Sequence, residues 1–299
     1  MGRTRLFDGI SVPLLTPFKE DSSINFEEYE HLLEYVIAGG IAGIFVGGTT
    51  GEFVNLNIEE RRELLQKAAE INKKRVSVLF NVTALNVKDI EVLVEFAHTY
   101  GADAVSVTPP FYHSYDQTAL KGYFQKIARI ADPLPLYLYN IPGMAKNSIS
   151  PGLLNELFAE NKNIRGIKDS SMDFMTFLQF QLAAPDDTYE IITGNDAQVL
   201  TALQAGGHGA VIAMANVVPE LCVSVYQNYF NGKLNEAREN QIKILKLREL
   251  VRSVMPIMSH KAMLETKGFN MGGARFPLRD LTDLERKKVT EEFRAILSK

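Results

Sequence analysis

Three segments of this sequence carry side chains able to do carbonyl chemistry. The first, Asn163-Ile164-Arg165-Gly166-Ile167-Lys168-Asp169-Ser170-Ser171, is a largely apolar run that ends in a lysine and a polar turn. Desolvation at such a strand end disfavours the ammonium form, so a free amine can attack a carbonyl and form a Schiff base. The alternative is a lysine that snorkels to solvent. The second, Tyr137-Leu138-Tyr139-Asn140-Ile141-Pro142, ends another apolar run. Its Tyr139 phenol can shuttle protons between water and a carbinolamine oxygen, or it can be a buried tyrosine donating one hydrogen bond. The third is Gly47-Gly48-Thr49-Thr50-Gly51-Glu52. Its glycines permit close backbone approach, and its threonines offer hydroxyls and exposed N–H donors, enough to hold a small carboxylate without a cation. The alternative is a glycine-rich turn with threonine as a cap. No GKS or GKT follows, which excludes a Walker loop.

These segments need a scaffold that brings them together. Short apolar runs at residues 10–15, 43–47, 76–82, 104–108, 134–141, 164–168, 189–193 and 210–213 lack strict polar alternation, as strands covered on both faces require. Helical patterns alternate with them, for example at 58–72, 87–100, 117–131 and 172–183, with start signals at Asn57 and Asp116. A weak repeat punctuates the chain: Ala38-Gly39-Gly40, Tyr100-Gly101 and Ala205-Gly206-Gly207 each end a helix in glycine before an apolar strand. This pattern predicts an α/β fold, a closed (β/α)8 barrel over residues 1–216, with Thr49, Tyr139 and Lys168 at the C-terminal ends of its strands. Beyond Asn216 the strand signals stop. Residues 217–230, 233–255, 256–267 and 283–297 read as helices broken at Gly232 and Gly268, giving a C-terminal helical extension over 217–299 packed on the barrel.

Bulk composition narrows the function. The 299 residues are 46% hydrophobic and 23% charged, an ordinary globular balance. A net charge of −4 gives no field for nucleic acid or an anionic membrane, so an anionic substrate needs local donors. The single cysteine, Cys222, excludes an internal disulfide and reads as a small core residue. Five scattered histidines show no metal-ligand spacing, so no metal is expected. The basic start, Met1-Gly2-Arg3-Thr4-Arg5, is followed by Asp8, Pro13 and Pro17 and does not read as a signal peptide. With no membrane-length apolar run, the expected location is cytoplasmic.

The motifs above, with Pro13-Leu14-Leu15-Thr16-Pro17-Phe18 and Thr108-Pro109-Pro110-Phe111-Tyr112, recur in order across nearly the whole chain. In this the sequence resembles the dihydrodipicolinate synthase / N-acetylneuraminate lyase family of pyruvate-dependent class I aldolases. The resemblance implies that Lys168 forms the imine with a 2-oxo acid, that Tyr139 relays protons with Thr49, and that Thr49 and Thr50 grip the pyruvate carboxylate. It implies no cofactor beyond the lysine imine. Tyr112 matches a tyrosine that enters the neighbouring subunit's site, which implies a homodimer or homotetramer. The candidate catalytic set is Lys168, Tyr139, Thr49 and Tyr112. The candidate substrate-binding set is Thr50, Gly48, Ser170, Gly194, Asp196 and Val211.

Departures from the family pattern bear on the substrate. Met144 stands where the synthase branch carries an arginine for the aldehyde's carboxylate, and a methionine cannot make that bidentate contact; Lys146 is the nearby point charge. Asp196 matches an aspartate that binds sugar hydroxyls in the sialic acid lyase branch, but Ala197 and Ala213 replace that branch's acidic residue and serine. As an alternative, Asp196 is the N-cap of a helix over 197–204. The leading expectation is a lyase that splits a 2-keto-3-deoxy sugar acid into pyruvate and an aldehyde. Dihydrodipicolinate synthase, N-acetylneuraminate lyase, a lyase of a shorter hydroxy-oxo acid, and a dehydratase or deaminase using the same imine remain open. So do a non-catalytic barrel that binds a 2-oxo acid and an isomerase gripping phosphate near Gly206-Gly207-His208-Gly209.

Overall fold

The computed structural model describes residues 5–298. Met1 to Thr4, most of the segment expected not to be a signal peptide, lie outside them. Eight parallel strands close in sequence order into one barrel: β1 Gly9–Pro13, β2 Gly43–Val46, β3 Ser77–Asn81, β4 Ala104–Val107, β5 Leu136–Asn140, β6 Ile164–Asp169, β7 Glu190–Thr193 and β8 Gly209–Val211. The helices are α1 Phe26–Ala38, α2 Ile58–Asn72, α3 Val87–Tyr100, α4 Gln117–Ala131, α5 Pro142–Ala145, α6 Pro151–Glu160, α7 Phe174–Ala183, α8 Val199–Gln204, α9 Pro219–Phe230, α10 Leu234–Arg252, α11 Pro256–Glu265 and α12 Asp283–Leu297.

Local chemistry sets the element ends. Asn57 and Glu60 form a reciprocal capping box at the start of α2, and Asp116 accepts the Ala119 N–H at the start of α4. Gly101 ends α3 in the left-handed conformation. Strand β5 begins later than expected because Pro135 has no N–H for the ladder. Strand β8 stops at Val211, short of the expected 213. Residues Ala213–Asn216 turn into a 3₁₀ segment, where Asp196 Oδ1 accepts the Met214 N–H at 2.8 Å.

Alternation along each strand divides the core in two. One face packs under the helices, and the other fills the barrel interior with Phe45, Leu79, Tyr137, Tyr139, Ile192 and Val211. Phe7 plugs the N-terminal end, where Glu190 Oε1 accepts the Phe7 N–H at 2.7 Å and the Tyr137 hydroxyl donates to Oε2. Burial pushes the Glu190 carboxyl up, against the pull of Tyr137 and the Phe7 and Leu6 amides.

The first helix of the extension expected over 217–299 lies against the barrel wall. Helix α9 packs beside α8 and against β1, and a Cβ on Gly39 would meet the Pro219 ring at 2.5 Å. Thus α9 is the eighth helix of the ring, and the extension proper is α10–α12. Nor does the extension stand apart. Lys261 of α11 is fully buried and pairs with buried Glu52 at 3.0 Å, directly after the Thr49-Thr50-Gly51 turn.

Candidate active site

The period of two along a strand sends Tyr137 and Tyr139 of β5 into the barrel, and likewise Gly166 and Lys168 of β6. Register pairs Tyr137 with Gly166 and Tyr139 with Lys168. Gly166 is required there, because a Cβ would lie 2.7 Å from the Tyr137 ring. Lys168 is 4% exposed and Tyr139 3%. The Lys168 Nζ lies 4.1 Å from the Tyr139 ring centre and 5.0 Å from that of Phe45, so the lysine is enclosed by aromatic faces and does not snorkel outward.

Burial pushes the Tyr139 phenol up, but Lys168 and hydrogen bonding with Thr49, Ser170 and Lys168 outweigh it and leave the group below the usual phenol value. A phenol held in that state is suited to accept a proton. Its neighbour Asn140 faces the other way and donates to Asp169 Oδ1 at 2.8 Å; Asp169 in turn accepts the Ser171 hydroxyl at 2.9 Å. These contacts tie the ends of β5 and β6 together and fix the turn that presents Ser170. Gly194, after β7, leaves room for the reactive side chains. A Cβ there would overlap Ser170 Oγ and lie 2.8 Å from the Lys168 Cε.

The Gly48–Glu52 turn is held from several sides. Thr16, in the Pro13–Phe18 motif, donates to the Gly51 carbonyl at 2.7 Å, and Asn81 donates to that of Gly47 at 2.7 Å. The glycines serve this packing: a Cβ on Gly48 would lie 3.0 Å from the Phe45 ring, and one on Gly51 2.7 Å from the Leu14 carbonyl. Among the described residues, no acceptor engages the Thr49 or Thr50 backbone N–H. Two free donors beside two hydroxyls are what a carboxylate needs.

A cavity of about 390 Å³ opens beside Gly194, the neighbour of the Lys168 stem, and is lined by Thr49, Thr50, Ser170, Gly194 and Asp196 at its polar end. The remaining expected residues fall elsewhere. Val211 is buried with Tyr139 and Phe45 in the barrel interior. Tyr112 is 76% exposed, outside this cavity, with a positive φ of 86° and its ring edge-on to His113. Its loop is clamped by Asn147, which donates to the Pro110 and His113 carbonyls at 2.7 Å. Asp196 is not the cap: Asn195 caps the short turn Asp196–Gln198. His208 accepts the Ile191 N–H through Nδ1 at the N-terminal end of β8, away from the cavity, so the Gly206–Gly209 stretch is no phosphate grip for this site.

The extension supplies a wall of the cavity: Arg248, Val251 and Arg252 of α10, Ile257 and His260 of α11, and Leu278. None of these was expected. In sequence, Arg248 and Arg252 are indistinguishable from the solvated face of an amphipathic helix. Among the described residues, no group of three or more His, Cys, Asp or Glu side chains could hold a metal ion, and no helix is long and apolar enough to cross a membrane.

A buried lysine beside a phenol of lowered pKa, at the strand ends of a (β/α)8 barrel, is an arrangement suited to Schiff-base chemistry. The chain belongs to the dihydrodipicolinate synthetase family, whose model matches residues 6–296. It is accordingly a carbon–carbon lyase of the kind that forms a lysine imine with pyruvate. It is 34% identical over 291 residues to the 4-hydroxy-tetrahydrodipicolinate synthase of Clostridium perfringens, spanning 97% of this chain and 98% of that enzyme. YagE, a prophage protein of the dihydrodipicolinic acid synthase family from E. coli K12, has a crystal structure in complex with pyruvate. It matches with a TM-score of 0.94 at 25% identity, over 98% of this chain and 99% of that one. A catalytic-lysine mutant of the Ruminococcus gnavus sialic acid aldolase matches with a TM-score of 0.92 at 26% identity, over 98% and 96% of the two chains.

Proposed function

We propose that this enzyme cleaves a 2-keto-3-deoxy sugar acid into pyruvate and an aldehyde, with Lys168 as the imine-forming residue. The observation that carries the reading is the buried Lys168 Nζ, 4.1 Å from the Tyr139 ring and next to Gly194, which lines an open cavity together with the unengaged Thr49 and Thr50. The amine adds to C2 of the 2-oxo acid, and loss of water with a proton relayed by Tyr139 gives the protonated imine. Tyr139 then accepts the C4 hydroxyl proton, the C3–C4 electron pair flows into the imine, and the aldehyde departs. The enamine takes a proton at C3. Hydrolysis returns pyruvate and the free amine, with no cofactor in the cycle.

Thr49 and Thr50 hold the substrate carboxylate, and Thr49 extends the proton relay. Exposed Tyr112, whose backbone conformation is uncommon outside glycine, completes the relay of the partner subunit in a homodimer or homotetramer. Support for a sugar acid comes from Ser170 and Asp196 at the polar end of the cavity, and from Met144 in its wall in place of an arginine. Val211 and Gly194 act from below, by packing and by leaving space. Synthesis of 4-hydroxy-tetrahydrodipicolinate is the second reading, favoured by the Clostridium perfringens relative.

The test is borohydride reduction in the presence of pyruvate, followed by peptide mapping, with a panel of 2-keto-3-deoxy acids and aspartate semialdehyde assayed in parallel. An adduct at Lys168 and pyruvate release from the sugar acids are the expected result. Turnover of aspartate semialdehyde alone would establish the second reading, and the absence of any adduct would overturn both.

A further inference from the structure

We propose that Arg248 and Arg252 form an anion subsite in the cavity wall that reads a terminal carboxylate or phosphate on the aldehyde partner. The inference rests on the Schiff-base reading and names the class of substrate that the same site takes: a molecule charged at both ends. The two arginines stand one turn apart on α10 and line the same cavity as Thr49, Thr50 and Ser170.

Their donors are largely unused. Arg248 Nη1 donates to Glu249 Oε1 at 2.6 Å, but that carboxylate is 62% exposed, and such surface pairs contribute little. The other acceptor is the Met172 sulfur, 3.9 Å from Arg248 Nη2 and 3.4 Å from Arg252 Nη1. A thioether is among the weakest acceptors a protein offers. Among the described residues Arg252 makes no ion pair, whereas Arg75, Arg275 and Arg286 each meet a glutamate.

Like charges at i and i+4 repel, and here only a sulfur lies between them. An anion bridging both guanidiniums would relieve the repulsion and use the planar donors bidentately. The surroundings favour such contacts at Arg248, whose side chain is 12% exposed beside the apolar Met144, Met172, Val251 and Ile257, so that a charge-assisted bond there is screened less than in water, while Arg252 stands exposed next to it. With a net charge of −4, the protein as a whole offers an anion no attraction, so this recognition has to be local. The pyruvate end of the substrate is already served by Thr49 and Thr50. The arginines therefore address a second anionic group, on the far side of the bond that breaks.

The test compares aldehydes in the condensation direction with pyruvate: glyceraldehyde against glyceraldehyde 3-phosphate, and butanal against succinic semialdehyde. Wild type is expected to favour at least one charged member over its neutral counterpart in kcat/KM by about tenfold or more, the effect of one charge-assisted contact. Whether phosphate or carboxylate gains more identifies the anion. The R248Q/R252Q double variant is expected to erase the preference, and R252K to keep part of it. No preference in wild type, or a preference that survives in the double variant, overturns the subsite. Borohydride trapping of pyruvate on the same samples reports the imine separately. Calorimetric titration with glycerol 3-phosphate, which needs no imine, should show binding weakened about tenfold in the double variant. If trapping fails while this binding remains arginine-dependent, the subsite stands and the lyase reading falls; if the titration is the same in both proteins, the subsite falls.

Discussion

Tyr139 and Lys168 are direct register partners across β5 and β6, and both side chains enter the barrel, with the Lys168 Nζ 4.1 Å from the Tyr139 ring centre. The amine and the phenol therefore sit at one height on adjacent strands, a position that any slip in strand pairing would destroy.

Removing either partner should separate their roles. Lys168→Ala is expected to abolish borohydride trapping and to lower turnover about a thousandfold or more. Tyr139→Phe keeps the nucleophile and loses the proton relay, so turnover should fall by about 10²–10⁴ while trapping persists at a reduced rate. Steady-state kinetics and intact mass on the two proteins distinguish these outcomes; equal trapping by Lys168→Ala would refute the assignment.

The depressed Tyr139 phenol gives a pH signature. The deprotonated form accepts the substrate proton, so kcat/KM should climb with pH and level off below the range of an ordinary phenol. Thr49→Val removes one of the hydrogen bonds that lower the Tyr139 pKa. That pKa then rises, and the climbing limb moves to higher pH. Profiles of both proteins from neutral to alkaline pH check the sign, and a limb that stays in place would count against it.

Gly194 is needed for space. In Gly194→Ala the new methyl would press on Ser170 Oγ and on the Lys168 stem. We expect about 1–3 kcal/mol of destabilisation and a larger loss of imine yield, because the lysine cannot keep its place beside Tyr139. Denaturant unfolding alongside pyruvate trapping reads both effects.

The Glu52–Lys261 pair joins the Gly48–Glu52 turn to the C-terminal extension. Burial lowers the Lys261 ammonium's pKa, against the pull of Glu52. Lys261→Met would strand a buried carboxylate and should cost about 3–5 kcal/mol, with a raised KM for pyruvate as the Thr49–Thr50 turn loosens. The double variant with Glu52→Leu should recover most of the stability, since an apolar replacement leaves no charge unpaired. Unfolding midpoints of the three proteins test this, and full stability in Lys261→Met would contradict it.

The barrel itself was legible in the sequence because its signals are local. Apolar runs of strand length, the Asn57 and Asp116 caps and the left-handed Gly101 act within a few residues of chain, and α2, α3 and α4 span the expected ranges. The same local logic placed Lys168, Tyr139 and Thr49 at strand ends, and closure of the barrel then had to bring them to one face. Several features could not be read locally. The capping role that was the alternative for Asp196 passed to Asn195, while the Met214 N–H engages the Asp196 carboxylate, and α9 packs on β1. The need for glycine at 194 arises from Ser170 and Lys168 across the neighbouring strand, and the wall of Arg248, Arg252 and His260 exists only because α10 and α11 fold back over the strand ends. Periodicity tells which face of a helix is apolar, but not what that face or its rim will meet. The sequence thus determined which side chains stand at the strand ends, Lys168, Tyr139 and Thr49 among them, while the shape and charge of the neighbouring cavity were decided by contacts between residues far apart in the chain.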